Sequence, residues 1–337
     1  MVEATIRDVA RRAQVSVASV SRALNGLDNV SDLTRSRVLE AAAALGYVPH
    51  AGARSLSLAR TNAIGVVLPD VHGEFFSEIV RGMDLAATER GYLLLLSNMH
   101  GGSAQAETAL RAMRGRVDGL IVMAPHLDRA TLERALPPAT PAVLINAPAD
   151  VRKYPNLRLD NAAGVAAVVA HLAALRRKHI VHLAGPNGNL DAQERSAAFL
   201  QAIADQCPRA EATVVPGDFT EEAGASGIRR LLANGEQFDA VFAGNDMMAI
   251  GALQAMQAAG LRVPEDVAVA GFDDIPLARH LGLTTVRARI AELGKRAIDR
   301  LVQMLGSDGA EPAQELHSTE LVVRRTTDPS AGKEPLR

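Results

Sequence analysis

The chain has 337 residues, of which 48% are hydrophobic and 22% charged, and its formal net charge at pH 7 is −2. That length allows two or three domains with separate cores, and the near-neutral balance excludes a protein that binds nucleic acid over its whole surface. No run approaches the roughly 18 apolar residues of a membrane span. Cys207, the single cysteine, cannot form an internal disulfide, and MVEATIRDVARR has no apolar signal segment, so a cytoplasmic protein is expected.

Residues Thr5 to Asn25 read as two short helices joined by a tight turn. Thr5 and Asp8 have the spacing of a capping box, with Thr5 capping the Asp8 amide and Asp8 reaching back. Ile6, Val9, Ala10 and Ala13 then form one apolar stripe. Gln14-Val15 makes the turn, and Ser16 is the N-cap of a second helix over Val17 to Leu24. Burying Val20, Ala23 and Leu24 leaves Val17, Ala18, Ser21 and Arg22 on the open side. In a helix-turn-helix the start of the second helix meets base edges in the major groove. The competing reading is an ordinary amphipathic pair within a core. Ser31 caps a third predicted helix, Asp32 to Leu45, which Gly46 ends. Residues 1–60 carry a net charge of +3 and the remainder −5, so positive charge gathers where phosphates would lie.

From Thr61 the pattern becomes α/β. Predicted strands are 63–69, 92–98, 118–124, 142–146, 179–185, 238–244 and 267–273, mostly continuous Val/Ile/Leu/Ala runs typical of parallel strands buried on both faces. Helical patterns such as Ser77 to Arg90, Ala162 to Leu175, Glu194 to Gln206 and Asp246 to Ala259 lie between them. Such alternation gives right-handed βαβ units, and seven strands over this length suit two sheets better than one. The polar tail, Thr327 to Arg337, is expected to be disordered and carries no leucine heptads.

Ligands of open α/β sheets lie past the carboxyl ends of the strands. Those positions hold Asp70 to Phe76, Asn98, Met123 to Pro125, Asn146, Gly185-Pro186, Asn245-Asp246 and Asp273-Asp274. Amides, carboxylates and an aromatic suit a polyhydroxyl ligand, through hydrogen bonds to hydroxyls and stacking on a sugar's C–H face. Asp246 and Asp274 read better as N-caps or turn formers, and Phe76 as core. His179 and His182 stand three apart on a predicted strand, so they face opposite ways and cannot share a metal. No phosphate-binding glycine motif and no nucleophile elbow is present, so an enzyme is not expected.

The blocks IRDVARRAQVSVASVSRALN, VS-x-x-TR-x-RV, ALGYVP, ARSL and IGVVLPD, in this order and spacing, closely resemble the N-terminal signature of the LacI/GalR family of bacterial transcription regulators. The resemblance implies an α/β fold with a helix-turn-helix headpiece (1–48), a hinge helix (49–60) and a periplasmic-binding-protein-like core of two doubly wound subdomains (61–326). These subdomains would take residues 61–160 with 290–320, and 161–289 with 321–326. Chain crossings are implied near Asp160, near Arg287 to Ile290 and near Thr319 to Val322. A homodimer would bind a palindromic operator through Thr5, Ser16, Val17, Ala18, Ser21 and Arg22. Ala53 and Leu56 of the hinge would act in the minor groove. A small effector, a sugar or sugar derivative, would meet Phe75, Asn146, Arg195, Phe219, Asn245 and Asp273. Arg195 matches an arginine that holds either hydroxyls or an anionic group. No metal, cofactor or membrane is implied. A nucleoside- or purine-responsive regulator of the same fold is the first alternative, and a sugar-binding transport protein the second.

Overall fold

A computed structural model of the chain describes residues 4–26, 29–48, 60–99, 102–306 and 313–331. Ala53 and Leu56 lie outside the described residues. Contacts divide the chain into two compact units, residues 1–63 with 116–118 and the remainder.

The first unit contains α1 (Ile6–Ala13), α2 (Val17–Leu24) and α3 (Asp32–Leu45). Val9, Val20 and Val38 are fully buried, and alanines at 10, 13, 23, 41 and 42 let the helices approach closely. Gln14 takes the left-handed conformation at φ 54°, which turns the chain sharply between α1 and α2. Ser16 and Ser31 cap α2 and α3 by accepting the Ser19 and Thr34 amides. Arg37 donates to the Ala13 carbonyl at 2.6 Å and Arg35 to the Ala23 carbonyl at 3.3 Å, placing cations at the ends of α1 and α2. The box at Thr5 is half as expected. Asp8 Oδ2 accepts the Thr5 amide at 3.0 Å, but the Thr5 hydroxyl donates to that same oxygen and the Asp8 amide turns to the Thr5 carbonyl. The hydroxyl and amide bonds from Thr5 hold the Asp8 carboxyl below its ordinary pKa.

The second unit begins with β1 (Ala63–Leu68), α4 (Glu74–Glu89), β2 (Leu93–Asn98), α5 (Ser103–Met113), β3 (Gly119–Met123), α6 (Arg129–Ala135), β4 (Ala142–Ile145) and β5 (Asn156–Leu159). It continues with α7 (Asn161–Ala174), β6 (His179–Leu183), α8 (Leu190–Gln206), β7 (Glu211–Val215), α9 (Glu221–Ala233), β8 (Ala240–Ala243), α10 (Asp246–Ala258) and β9 (Ala268–Asp273). It closes with α11 (Pro276–Leu281), β10 (Thr284–Arg287), α12 (Ile290–Gly306), β11 (Gln314–His317) and β12 (Glu320–Val322). These strands form two six-stranded sheets, ordered β11-β5-β4-β3-β1-β2 and β12-β10-β9-β8-β6-β7. β10 pairs antiparallel with β12, while the registers at β1–β3, β3–β4, β6–β8 and β8–β9 are parallel. The chain passes from the first sheet to the second after Leu159, returns after Arg287, and passes again between His317 and Glu320.

Five strands, β5, β7, β10, β11 and β12, go beyond the seven read from sequence. They are short, or polar and at sheet edges, so no continuous apolar run marks them. The tail also departs from expectation at its start. Thr327 is buried, and its hydroxyl pairs with Thr284 at 2.7 Å and with His171 at 2.8 Å. Specific hydroxyl pairing orders a segment whose composition holds few apolar residues, and its described part runs to Ala331.

Two helix pairs meet through glycines. A Cβ on Gly82 of α4 would stand 1.9 Å from the Ala291 carbonyl oxygen of α12, and one on Gly251 of α10 would stand 1.8 Å from the Glu221 carbonyl oxygen of α9. Both obstacles are backbone and cannot swing aside. Gly251→Ala is therefore expected to lower stability by about 1–3 kcal/mol or more, as a shifted urea midpoint at unchanged slope would record.

His179 and His182 do face opposite ways: His179 pairs with Glu211 at the surface at 3.1 Å, and His182 is fully buried. The His182 ring bridges the Phe242 carbonyl at 3.0 Å and the Ser196 hydroxyl at 3.1 Å. Burial pulls its pKa from 6.5 down to about 4. The unfolded chain then binds the proton that the fold refuses, so stability falls as pH drops through this window. The loss is on the order of 3 kcal/mol. His182→Gln should flatten the dependence when unfolding is compared at about pH 7 and about pH 4.5.

Candidate functional site

Two surfaces collect the residues with functional chemistry, one on each unit. On the first unit, Ser16, Val17, Ala18 and Arg22 are exposed along one side of α2, while Val20 and Ala23 are buried opposite. Ser21 is half-buried and accepts from Asn25 at 3.4 Å. Arg22 makes no hydrogen bond or ion pair among the described residues, so its guanidinium keeps all its donors. Thr5 is exposed at the start of α1, with its hydroxyl held by Asp8.

On the second unit, a cavity of about 490 Å³ opens between the two sheets. Phe75, Asn146, Arg195, Phe219, Asn245 and Asp273 all line it. Phe75 and Asn146 come from the first-sheet side, by the start of α4 and the end of β4. Arg195, Phe219, Asn245 and Asp273 come from the second, on α8, before α9, at the start of α10 and at the end of β9. Asn146, Phe219 and Asp273 hold left-handed backbone at φ 50°, 70° and 119°. Three side-chain-bearing residues in that region concentrate strain at the rim of this cavity. The Phe219 ring occupies the space a side chain at residue 185 would need.

Arg195 lies buried on α8. Its Nε donates to Asn161 Oδ1 at 2.9 Å, its Nη1 to the Gly244 carbonyl at 2.6 Å, and its guanidinium carbon lies 3.7 Å above the Phe272 ring. Asp273 Oδ1 stands 3.8 Å from Arg195 Nη1, too long for a hydrogen bond, and is buried without a partner. Burial outweighs this loose pairing and raises the Asp273 pKa to about 7. Asn146 donates to Asp191 Oδ2 at 3.0 Å, leaving its own Oδ1 buried and unpartnered. Asn245 is the N-cap of α10, accepting the Met248 amide at 2.9 Å and donating to the Phe219 carbonyl at 3.0 Å, so it positions Phe219 as well as lining the cavity.

Of the three residues set apart in the sequence, Asp274 in its left-handed turn at φ 57° and Phe76 on the core agree with their reading, and Asp246 departs from it. Asp246 does not cap α10. It is fully buried beneath the sheet, accepting from the Thr285 hydroxyl at 2.5 Å and the Ile275 amide at 3.0 Å, and burial raises its pKa well above the ordinary value. Asp274 pairs with Arg287 at 2.6 Å and Arg324 at 2.7 Å. Phe76 packs on the core but also lines the cavity, edge-on to Phe75 at 5.3 Å between centroids.

Asp191 was not legible as a site residue. In the first turn of α8 it resembles an ordinary dipole-complementing acid. Its burial depends on Asn146 and Asn161, both of which donate to it from other elements. The Asn146–Asp191 bond also bridges the two sides of the cavity. Two more bonds do so: Leu190 amide to Pro125 carbonyl at 2.7 Å, and Leu277 amide to Glu74 Oε2 at 3.0 Å.

Among the described residues no helix is long and apolar enough to cross a membrane. Residues 5–50 match bacterial regulatory proteins of the lacI family, and residues 169–327 match a periplasmic binding protein-like domain. The HTH-type transcriptional repressor CytR of Escherichia coli (strain K12) is 34% identical over 335 residues, which cover 96% of each chain. A crystal structure of the Lac repressor dimer bound to operator and an anti-inducer aligns with a TM-score of 0.87 at 30% identity, covering 97% of this chain and 99% of that one. A complex of the transcriptional regulator CelR with cellobiose aligns with a TM-score of 0.70 at 30% identity, covering 96% and 99%. The helix-turn-helix unit, the two parallel sheets and these full-length likenesses agree: the chain belongs to the lacI family of bacterial transcriptional regulators.

Proposed function

We propose that the protein is a homodimeric repressor that reads a palindromic operator with α2 and is controlled by a sugar or sugar-like effector bound between the two sheets. Arg22 serves guanine, Val17 and Ala18 serve thymine methyls, and Thr5, Ser16 and Ser21 serve phosphates. Ala53 and Leu56 act at the operator centre. The observation that carries the effector reading is the pair of buried oxygens, Asp273 Oδ1 and Asn146 Oδ1, left without partners on opposite sides of one cavity. Buried acceptors are costly when unpaired, and ligand hydroxyls spanning the cavity would satisfy both sides at once.

The dimer reading is supported by exposed Leu93, Leu95 and Leu96 on edge strand β2 and Leu85 on α4, an apolar margin suited to a second copy. Acting as a regulator and not an enzyme, the protein works in the cytoplasm beside its operator.

Fluorescence anisotropy on an operator selected from random-sequence DNA tests the reading. Addition of the effector sugar should change operator affinity by roughly 5- to 150-fold, the usual range of coupling between two sites. A protein that binds operator identically with every sugar and nucleoside in a broad screen would have a different role for this cavity.

A further inference from the structure

We infer that the effector is a polyhydroxyl molecule with no anionic group, and that phosphorylated and carboxylated sugars are refused by the cleft. This rests on the cavity being the effector site and narrows what that site accepts.

Arg195 is the lysine-or-arginine side chain that lines the cavity, and part of its donor set is already occupied. Two of its nitrogens donate to protein oxygens, Phe272 covers one face, and Asp273 stands beside it. An anion at this guanidinium would meet Asp273 and Asp191, both buried at the same floor. At the rim stand Asp70 and Asp218. Each has one oxygen fixed by its own turn: Asp70 Oδ1 accepts the Val71 and His72 amides, and Asp218 Oδ1 accepts the Thr220 amide and hydroxyl. Their second oxygens bond to nothing among the described residues. With Glu221 and Glu222, six carboxylates thus line the cavity beside one guanidinium. Walls of low dielectric strengthen that field inside a cleft.

Helix starts offer no rescue for a phosphate. Thr220 and Asn245 cap α9 and α10 with their own side chains. The start of α4, at Gly73, carries Glu74 in its first turn. The unpartnered oxygens of Asp273 and Asn146 call for donors. Hydroxyls and ammonium groups supply them, and a phosphate dianion supplies none.

The test is calorimetric titration of the full chain with matched pairs: ribose and ribose 5-phosphate, glucose and glucose 6-phosphate, glucose and glucuronate, adenosine and its monophosphate. Titrating at about pH 8 keeps Asp273, whose pKa lies near 7, largely ionised. Any parent that binds should do so at least about tenfold more tightly than its anionic partner. Asp70→Asn with Asp218→Asn should narrow that gap several-fold. A phosphorylated or carboxylated partner that binds as tightly as its parent overturns the inference while leaving the effector site standing. A gap unmoved in the double variant overturns its electrostatic origin. Failure of every parent and every anion across the full panel overturns the effector-site reading, and this inference with it.

Discussion

Asp273→Ala is expected to abolish the effector response while operator affinity stays unchanged. The carboxylate lines the cavity, its Oδ1 is buried without a partner, and no other strand-end acid occupies its place. Removing a charge-assisted acceptor costs about 1.5–3 kcal/mol per bond, so effector affinity should fall at least about tenfold, measured by calorimetry. A pH signature accompanies this. The Asp273 pKa sits near 7, and a hydroxyl donor binds the ionised form. Effector affinity in the wild type should therefore rise with pH through that value, and the rise should vanish in the variant. Stability should move the other way. With the folded pKa above the ordinary 3.8, the unfolded chain loses its proton first, so this group weakens the fold as pH climbs through the window. Asp273→Asn should accordingly melt higher than wild type at about pH 8, a cost carried for function. A variant that responds to effector as before would place the site elsewhere.

Arg22→Ala is expected to weaken specific operator binding by about 1–3 kcal/mol, roughly 10- to 100-fold, because the side chain is exposed on α2 with no partner among the described residues. The salt dependence separates base reading from phosphate attraction. Loss of a base contact should leave the slope of log affinity against log salt nearly unchanged, whereas loss of a phosphate contact should reduce it by about one. Anisotropy on the selected operator and on scrambled DNA checks both. Equal losses on both sequences would make Arg22 a phosphate contact.

The core strands were readable because β1, β3, β4, β8 and β9 are apolar on both faces, a pattern that needs no partner to be recognised. β7 and β11 were not, since their mostly exposed edge residues follow from sheet order, which one sequence does not display. The cavity shows the same division. Six residues chosen at strand ends and by family motif line one space, because strand direction alone brings carboxyl ends together. Asp191 and the double duty of Asn245 depend on which distant atoms donate to them, and nothing local encodes that. Asp246 failed for the same reason: Thr285 and Ile275, far along the chain, decide its surroundings.

The interleaved path between the sheets governs the order in which they can fold during synthesis. The first sheet receives β11 beside β5, and α12 lies against α4, so residues near 80 and 157 wait for partners near 290 and 315. The second sheet receives β12 beside β10 and the Thr326–Thr327 hydroxyls beside Thr284. Neither half can be completed on the ribosome by its own first segment, since each is sealed by residues made after position 290. The helix-turn-helix core, drawn from Ile6 to Tyr47, is finished long before. A nascent chain could thus present a folded DNA-reading surface while the apparatus that governs it is still under construction.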